Sequence, residues 1–167
     1  METISKRELH RRQKLALYFE SHNGYWMRLV SNHSQGKLTR ELQANNTSIA
    51  EWIVMCHVRE RPQITPGELA ENLDMTRGAV SKVIDKLEAK KWVARMAKAE
   101  DGRVQLLSLT RQGSQMLPKL LEMVNHHERE FFDCLPVEER ATLWRLLKKL
   151  AEFHDINKGY FNLPLKS

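Results

Sequence analysis

Residues 64–110 read "ITPGELAENLDMTRGAVSKVIDKLEAKKWVARMAKAEDGRVQLLSLT", and the punctuation of this stretch decides the fold. Thr65 to Glu68 form a capping box, with Pro66 at the first helical position where its missing N–H costs nothing. Thr76 is a second N-cap. Two helices are therefore expected, about 66–72 and 77–90, joined by the tight "LDM" turn. Two extended runs follow, near 93–97 and 104–109, around an Asp101-Gly102 pair. Asp-Gly between extended runs is a strong hairpin signal, because glycine accepts the positive φ of a tight turn.

The second helix carries two faces. Val80, Val83, Ile84 and Leu87 fall at i, i+3, i+4 and i+7, one stripe for a core. The opposite face presents Arg77, Gly78, Ser81, Lys82 and Asp85, with Lys86 at its margin. Short, hydrogen-bonding and basic side chains at a helix N-terminal half suit the DNA major groove, which is about 12 Å wide and just admits a helix. Gly78 lets the backbone come close to a base edge. The helix N-termini behind Thr65 and Thr76 offer free N–H groups and a favourable dipole for phosphate. A helix, a turn, a second helix and a hairpin have a known docking logic, with the second helix in the major groove and flanking elements on the backbone. The Asp101-Gly102 turn would then aim Arg103 at the neighbouring minor groove, with Asp101 bracing the guanidinium. A solvated helix face beside a surface hairpin is the plainer reading of the same residues.

Outward from this centre the chain continues as helices. Ser48 to Glu51 form another capping box and open a helix at 48–60, ended by Pro62. Upstream, helices are expected at about 7–19 and 25–44, the first weakened by His22 to Gly24 and the second ended by Asn45-Asn46. Downstream, Thr110 caps a helix at 111–133, and Pro136 separates it from another at 137–154. Pro118 should kink the first of these or mark a late start. The parts are thus N-terminal helices 1–46, a DNA-binding unit 47–110 with reader 77–90 and hairpin 93–109, C-terminal helices 111–156 and an irregular tail 157–167.

The 167 residues carry a net charge of +6, with 29% charged side chains. Residues 65–110 hold 8 basic and 7 acidic side chains, so placement rather than bulk charge must do any DNA binding. The charged start "METISKRELHRRQKLALYF" has no apolar core for a signal peptide, and no apolar run is long enough to span a membrane. A soluble cytoplasmic protein is expected. No Gly-rich phosphate loop, nucleophile elbow, HExxH or paired-carboxylate site appears, which argues against an enzyme, and no cofactor is implied.

The quoted stretch resembles the winged helix-turn-helix core of the MarR family of bacterial transcriptional regulators. The resemblance rests on "ELA..L", on "AVSKVIDKLEAKKWV" and on the D-x-R wing before "LLSLT". It extends outward through "SIAEW" and "LPVEERATLWRLLKKL", over roughly residues 22–154. The resemblance implies a mostly α fold with a small β-hairpin wing. It also implies a homodimer built by helices from both termini, a double-stranded pseudo-palindromic operator, base contacts from Ser81 and Lys82, and a wing-tip Arg103. Two positions depart from the pattern. Lys82 stands where arginine is common and lacks the rigid bidentate fork. Lys91 stands where a glycine usually ends the reader, and must either take the left-handed cap or end the helix differently.

Relatives commonly sense small aromatic or phenolic compounds, and Tyr25, Trp26, His33 and Trp52 are candidates to line such a site, although Trp52 beside Ile53 and Cys56 also suits a core. Oxidant sensing would need an exposed thiol of depressed pKa. Cys56 reads instead as a small buried hydrophobe and Cys134 as the more exposed cysteine. His126, His127 and Glu130 in "NHHERE" form the one dense cluster of metal-ligating residue types, and a solvated helix face explains them equally; no metal is expected. A winged helix used for protein–protein contact is the competing function.

Overall fold

Four capped starts order the centre of the chain as expected. The computed structural model describes residues 6–98 and 101–156. The elements run α1 (Lys6–Glu20), α2 (Asn23–Ala44), α3 (Ile49–Glu60), α4 (Pro66–Leu73), α5 (Arg77–Ala89), β1 (Val93–Lys98), β2 (Asp101–Leu109), α6 (Arg111–Phe132) and α7 (Val137–Phe153). The Ser48 and Thr65 side chains each accept the N–H three residues on, and Glu51 and Glu68 reach back, so both capping boxes are complete. Thr76 and Thr110 cap α5 and α6 through the N–H groups of Ala79 and Gly113. α6 runs from Arg111 through Pro118 without interruption, so the proline does not delay its start. α2 begins at Asn23 rather than 25, which places Gly24 inside its first turn.

Helix ends are as well defined as the starts. Lys91 takes φ 58°, the left-handed alternative. Its N–H donates to the Glu88 carbonyl at 2.8 Å and that of Trp92 to Leu87 at 2.9 Å, the paired bonds of a Schellman close. Asn46, Asp74 and Asp155, also left-handed, close α2, α4 and α7 with the same bond pattern.

The chain divides within α2 into two compact units, Met1–Arg40 and Glu41–Ser167. The core of the second is centred on α3, buried on every side from Glu51 to Val58, with apolar side chains of α4 and α5 including Leu69, Val80, Ile84 and Leu87. Of the stripe on α5, Val80, Ile84 and Leu87 are fully buried and Val83 half-buried. Cys56 joins this core, and burial pushes its thiol up to about 12, which removes the thiolate that oxidants attack.

The hairpin is antiparallel, with Val93 opposite Leu109 and Ala97 opposite Gln105. The register then jumps, because Lys98 pairs with Asp101. The expected turn at Asp101-Gly102 is therefore displaced: both residues belong to β2, and among the described residues Gly102, Arg103 and Val104 have no opposite partner, a bulge-like break in the ladder. Closing the hairpin earlier leaves those three backbone positions surplus to the ladder. One connection had no sequence signal. The segment before α4 bridges to the wing, with Leu107 N–H donating to Ile64 O and Gln63 N–H to Leu107 O.

Candidate nucleic-acid interface

α5 presents the expected exposed face. Arg77, Gly78, Lys82, Asp85 and Lys86 are exposed and Ser81 is half-buried. Among the described residues Arg77, Lys82 and Lys86 have no ion-pair partner, so their charges are available. A Cβ built on Gly78 would meet nothing within 4 Å, so the fold itself does not require glycine there.

Asp85, the one acid on this face, is neutralised from the wing. Arg95 of β1 places one guanidinium nitrogen 2.6 Å from Asp85 Oδ1 and another 2.9 Å from Glu88 Oε2. Its backbone N–H also donates to Glu88 Oε1 at 3.3 Å. The wing strand is thereby clamped to the helix, and the face is left net positive. Arg95 went unnoticed in the sequence because nothing in a strand's own pattern reveals an acid on a different element.

The two helix N-termini differ. Thr76 accepts only the Ala79 N–H, at 3.2 Å. The Thr65 hydroxyl accepts from Glu68 N–H and donates to Glu68 Oε2 at 2.7 Å. The Thr65 backbone and hydroxyl donors hold the Glu68 carboxyl below its usual value, so a carboxylate already occupies the α4 N-terminus. Thr65 is a cap first, and its hydroxyl is committed. The side chains of Asp101 and Arg103 lie outside the described residues, and so does the bracing expected between them.

The ligand candidates are distributed over both units. Trp52 is buried in the second unit at 6% exposure. Tyr25, Trp26 and His33 belong to the first, where a groove of about 440 Å³ is lined by Tyr18, Phe19, His22, Gly24, Tyr25 and Arg28. Tyr25 alone of the four lines it, since the Trp26 indole N–H is drawn to the Glu20 carbonyl at 2.8 Å. The histidine doublet also splits. His126 is exposed, whereas His127 is 3% exposed with Nδ1 3.2 Å from Glu41 Oε2. Among the described residues no group of three His, Cys, Asp or Glu side chains is arranged to hold a metal, and no helix is long and apolar enough to cross a membrane.

Comparison with known proteins agrees with this geometry. The MarR family model matches residues 47–104, from the start of α3 into the wing. The multiple antibiotic resistance protein MarR of Escherichia coli K12 is 30% identical over 128 residues, covering 76% of this chain and 89% of that protein. The chain belongs to the MarR family. An HTH-type transcriptional regulator of Bacillus cereus is 29% identical over 75% of this chain and 85% of its own. Among solved structures, a mutant E. coli MarR complexed with operator DNA aligns with a TM-score of 0.67 at 30% identity, over 76% of this chain and 91% of that one. The PcaV regulator of Streptomyces coelicolor, 19% identical, shares the fold with a TM-score of 0.72 over 81% and 98% of the two chains. This MarR-family chain is thus a winged helix-turn-helix transcriptional regulator in which α4 and α5 form the helix-turn-helix and β1–β2 the wing.

Proposed function

We propose that the protein is a sequence-specific DNA-binding repressor that acts as a homodimer on a pseudo-palindromic operator and is released by a small aromatic or phenolic effector. The observation that carries the DNA reading is the α5 face, where Arg77, Lys82 and Lys86, unpaired among the described residues, surround Gly78 and Ser81 while Arg95 neutralises Asp85. Arg77, Ser81 and Lys82 read bases in the major groove. Lys86 and the α5 N-terminus hold phosphate, and Arg103 extends from the wing to the minor groove. The E. coli MarR complex with operator DNA supports this docking.

Dimerisation is favoured by an exposed apolar face. α7 buries none of its residues and exposes Trp144, Leu147, Leu150 and Phe153. A 17-residue helix with one wet apolar side gains little stability from its own hydrogen bonds. A second copy covers such a face symmetrically and spaces two readers one helical turn apart on DNA. The effector reading is supported by the groove of α1 and α2. Its Tyr18, Phe19 and Tyr25 rings can stack on a planar compound, and Arg28 is unpaired among the described residues.

The test is selection of duplexes from a random pool, followed by anisotropy titration of the selected and scrambled sequences at two salt concentrations. Preference for the selected duplex that survives the higher salt supports the regulator. Equal, salt-sensitive binding to both removes the sequence-specific reading, and no binding favours a protein-docking winged helix.

A further inference from the structure

Lys90 gathers three segments at the end of the reading helix. It is the C-cap residue of α5. Its Nζ donates to Glu51 Oε1 at 2.7 Å and to the Asn46 carbonyl, and stands 5.1 Å from the centre of the Trp92 ring. The ion pair is sheltered, with Lys90 18% and Glu51 5% exposed. Glu51 has two tasks, because its other oxygen accepts the Ser48 N–H at 2.7 Å and closes the capping box of α3. One ammonium therefore joins the left-handed close of α2 and the first turn of α3 to the last turn of α5.

We propose that Lys90, held by Glu51, is a positioning residue for base reading. It touches no DNA, and it sets the direction in which α5 leaves the core. The lever is long. Arg77 lies about 18 Å along the helix from its last residue at 1.5 Å per residue, so a tilt of about 10° at the Lys90 end moves the reading end by about 3 Å. Base-edge hydrogen bonds hold only near 2.9 Å and do not survive such a shift. Flexible lysines on phosphate do. Loosening this anchor should therefore erode discrimination between sequences while leaving general DNA affinity in place. The geometry restricts the role further, since Lys90 is turned toward Glu51 and Asn46 and its charge is already spent.

The inference rests on α5 being the reader, so the experiment separates the two. Wild type, Lys90→Met, Lys90→Arg and Glu51→Gln are compared on a duplex selected from a random pool by the wild type and on a scrambled duplex, at two salt concentrations. Thermal melts establish the folded fraction. Lys90→Met keeps the apolar stem; Glu51→Gln keeps the capping acceptor and serves if Lys90→Met does not fold. The expected result is a tenfold or greater fall in the ratio of selected to scrambled affinity for Lys90→Met, a smaller fall for Glu51→Gln, and recovery in Lys90→Arg. Scrambled binding and its salt dependence stay at wild-type values. An unchanged ratio in the folded variants overturns the proposal, because a merely structural lysine would lower the melt alone. Equal losses on both duplexes, with a salt slope reduced by about one, make Lys90 a phosphate contact and also overturn it. If wild type shows no preference, the assignment of α5 as reader falls, and this inference falls with it.

Discussion

Arg95 on the wing and Asp85 on the reading helix meet at 2.6 Å, and the same guanidinium reaches Glu88 one helical turn on. Both carboxylates are partly exposed, so each pair is screened and contributes about 0.2–1 kcal/mol. Arg95→Ala should lower unfolding free energy by about 1 kcal/mol, whereas Asp85→Asn should cost less because the Glu88 pair remains. Urea denaturation measures both. A loss for Asp85→Asn as large as that for Arg95→Ala would show that the second pair contributes nothing.

Gly78 separates folding from function. Alanine there meets open space, and it raises helix propensity by up to about 1 kcal/mol. Gly78→Ala should melt at or above the wild-type temperature while binding its selected duplex at least several-fold more weakly. Unchanged binding would mean that the backbone at 78 does not approach DNA.

Lys86 is exposed and unpaired among the described residues. Its replacement by alanine should weaken all duplexes about equally and reduce the slope of log affinity against log salt by about one. Loss confined to one base position would make Lys86 a base reader.

Gly113 is fixed by the backbone behind it. An added Cβ would lie 1.9 Å from the carbonyl oxygen of Trp92, which itself accepts the Thr110 N–H at 3.0 Å. Neither group can retreat without opening the junction between wing and α6. Gly113→Ala should cost about 3 kcal/mol or more, at the upper end of overpacking penalties, and a calorimetric melt will register it.

Two buried groups tie stability to pH. Burial, and after it the Arg61 guanidinium, lowers the pKa of His57 below its ordinary 6.5. The unfolded chain then takes up this proton more readily, so stability is intact above pH 6.5 and erodes as pH falls below it. Burial pushes the Glu51 carboxyl up, but Lys90 and the Ser48 donors outweigh it and hold the group below 4.5. That stabilisation is present above pH 4.5 and is lost as pH falls through the folded value. The urea midpoint should therefore drop in two stages. His57→Gln should flatten the stage that begins below pH 6.5, and Glu51→Gln the stage that begins below 4.5. A pH profile of His57→Gln parallel to wild type would remove His57 from this account.

What the sequence disclosed follows from how local each signal is. Capping residues act within four positions, so Ser48, Thr65, Thr76 and Thr110 marked their helices to within a residue or two, and the apolar stripe of α5 named its buried side. The Asp-Gly pair marked the hairpin but not the position of its turn, because an irregularity in the ladder absorbs Gly102 and Arg103, and such breaks carry no fixed spelling. Arg95, Lys90 and Gly113 went unread for a shared reason. Each owes its role to a partner on another element, and only the assembled core brings Asp85, Glu51 and the Trp92 carbonyl to them. Tyr25, Trp26 and His33 fall in one unit and Trp52 in the other, and no local pattern in the sequence marks that boundary.

The setting of Trp92 has an optical consequence. Its indole is 9% exposed, with the Lys90 ammonium held against the ring, while Trp26 and Trp144 are 48% and 61% exposed. Emission from Trp92, like that from Trp52 at 6% exposure, should lie to the blue of the two exposed indoles, and the adjacent ammonium should perturb it. The protein therefore carries, at the joint between helix and wing, a native fluorophore that should report movement of that joint without an added label once the other buried indole, Trp52, is replaced.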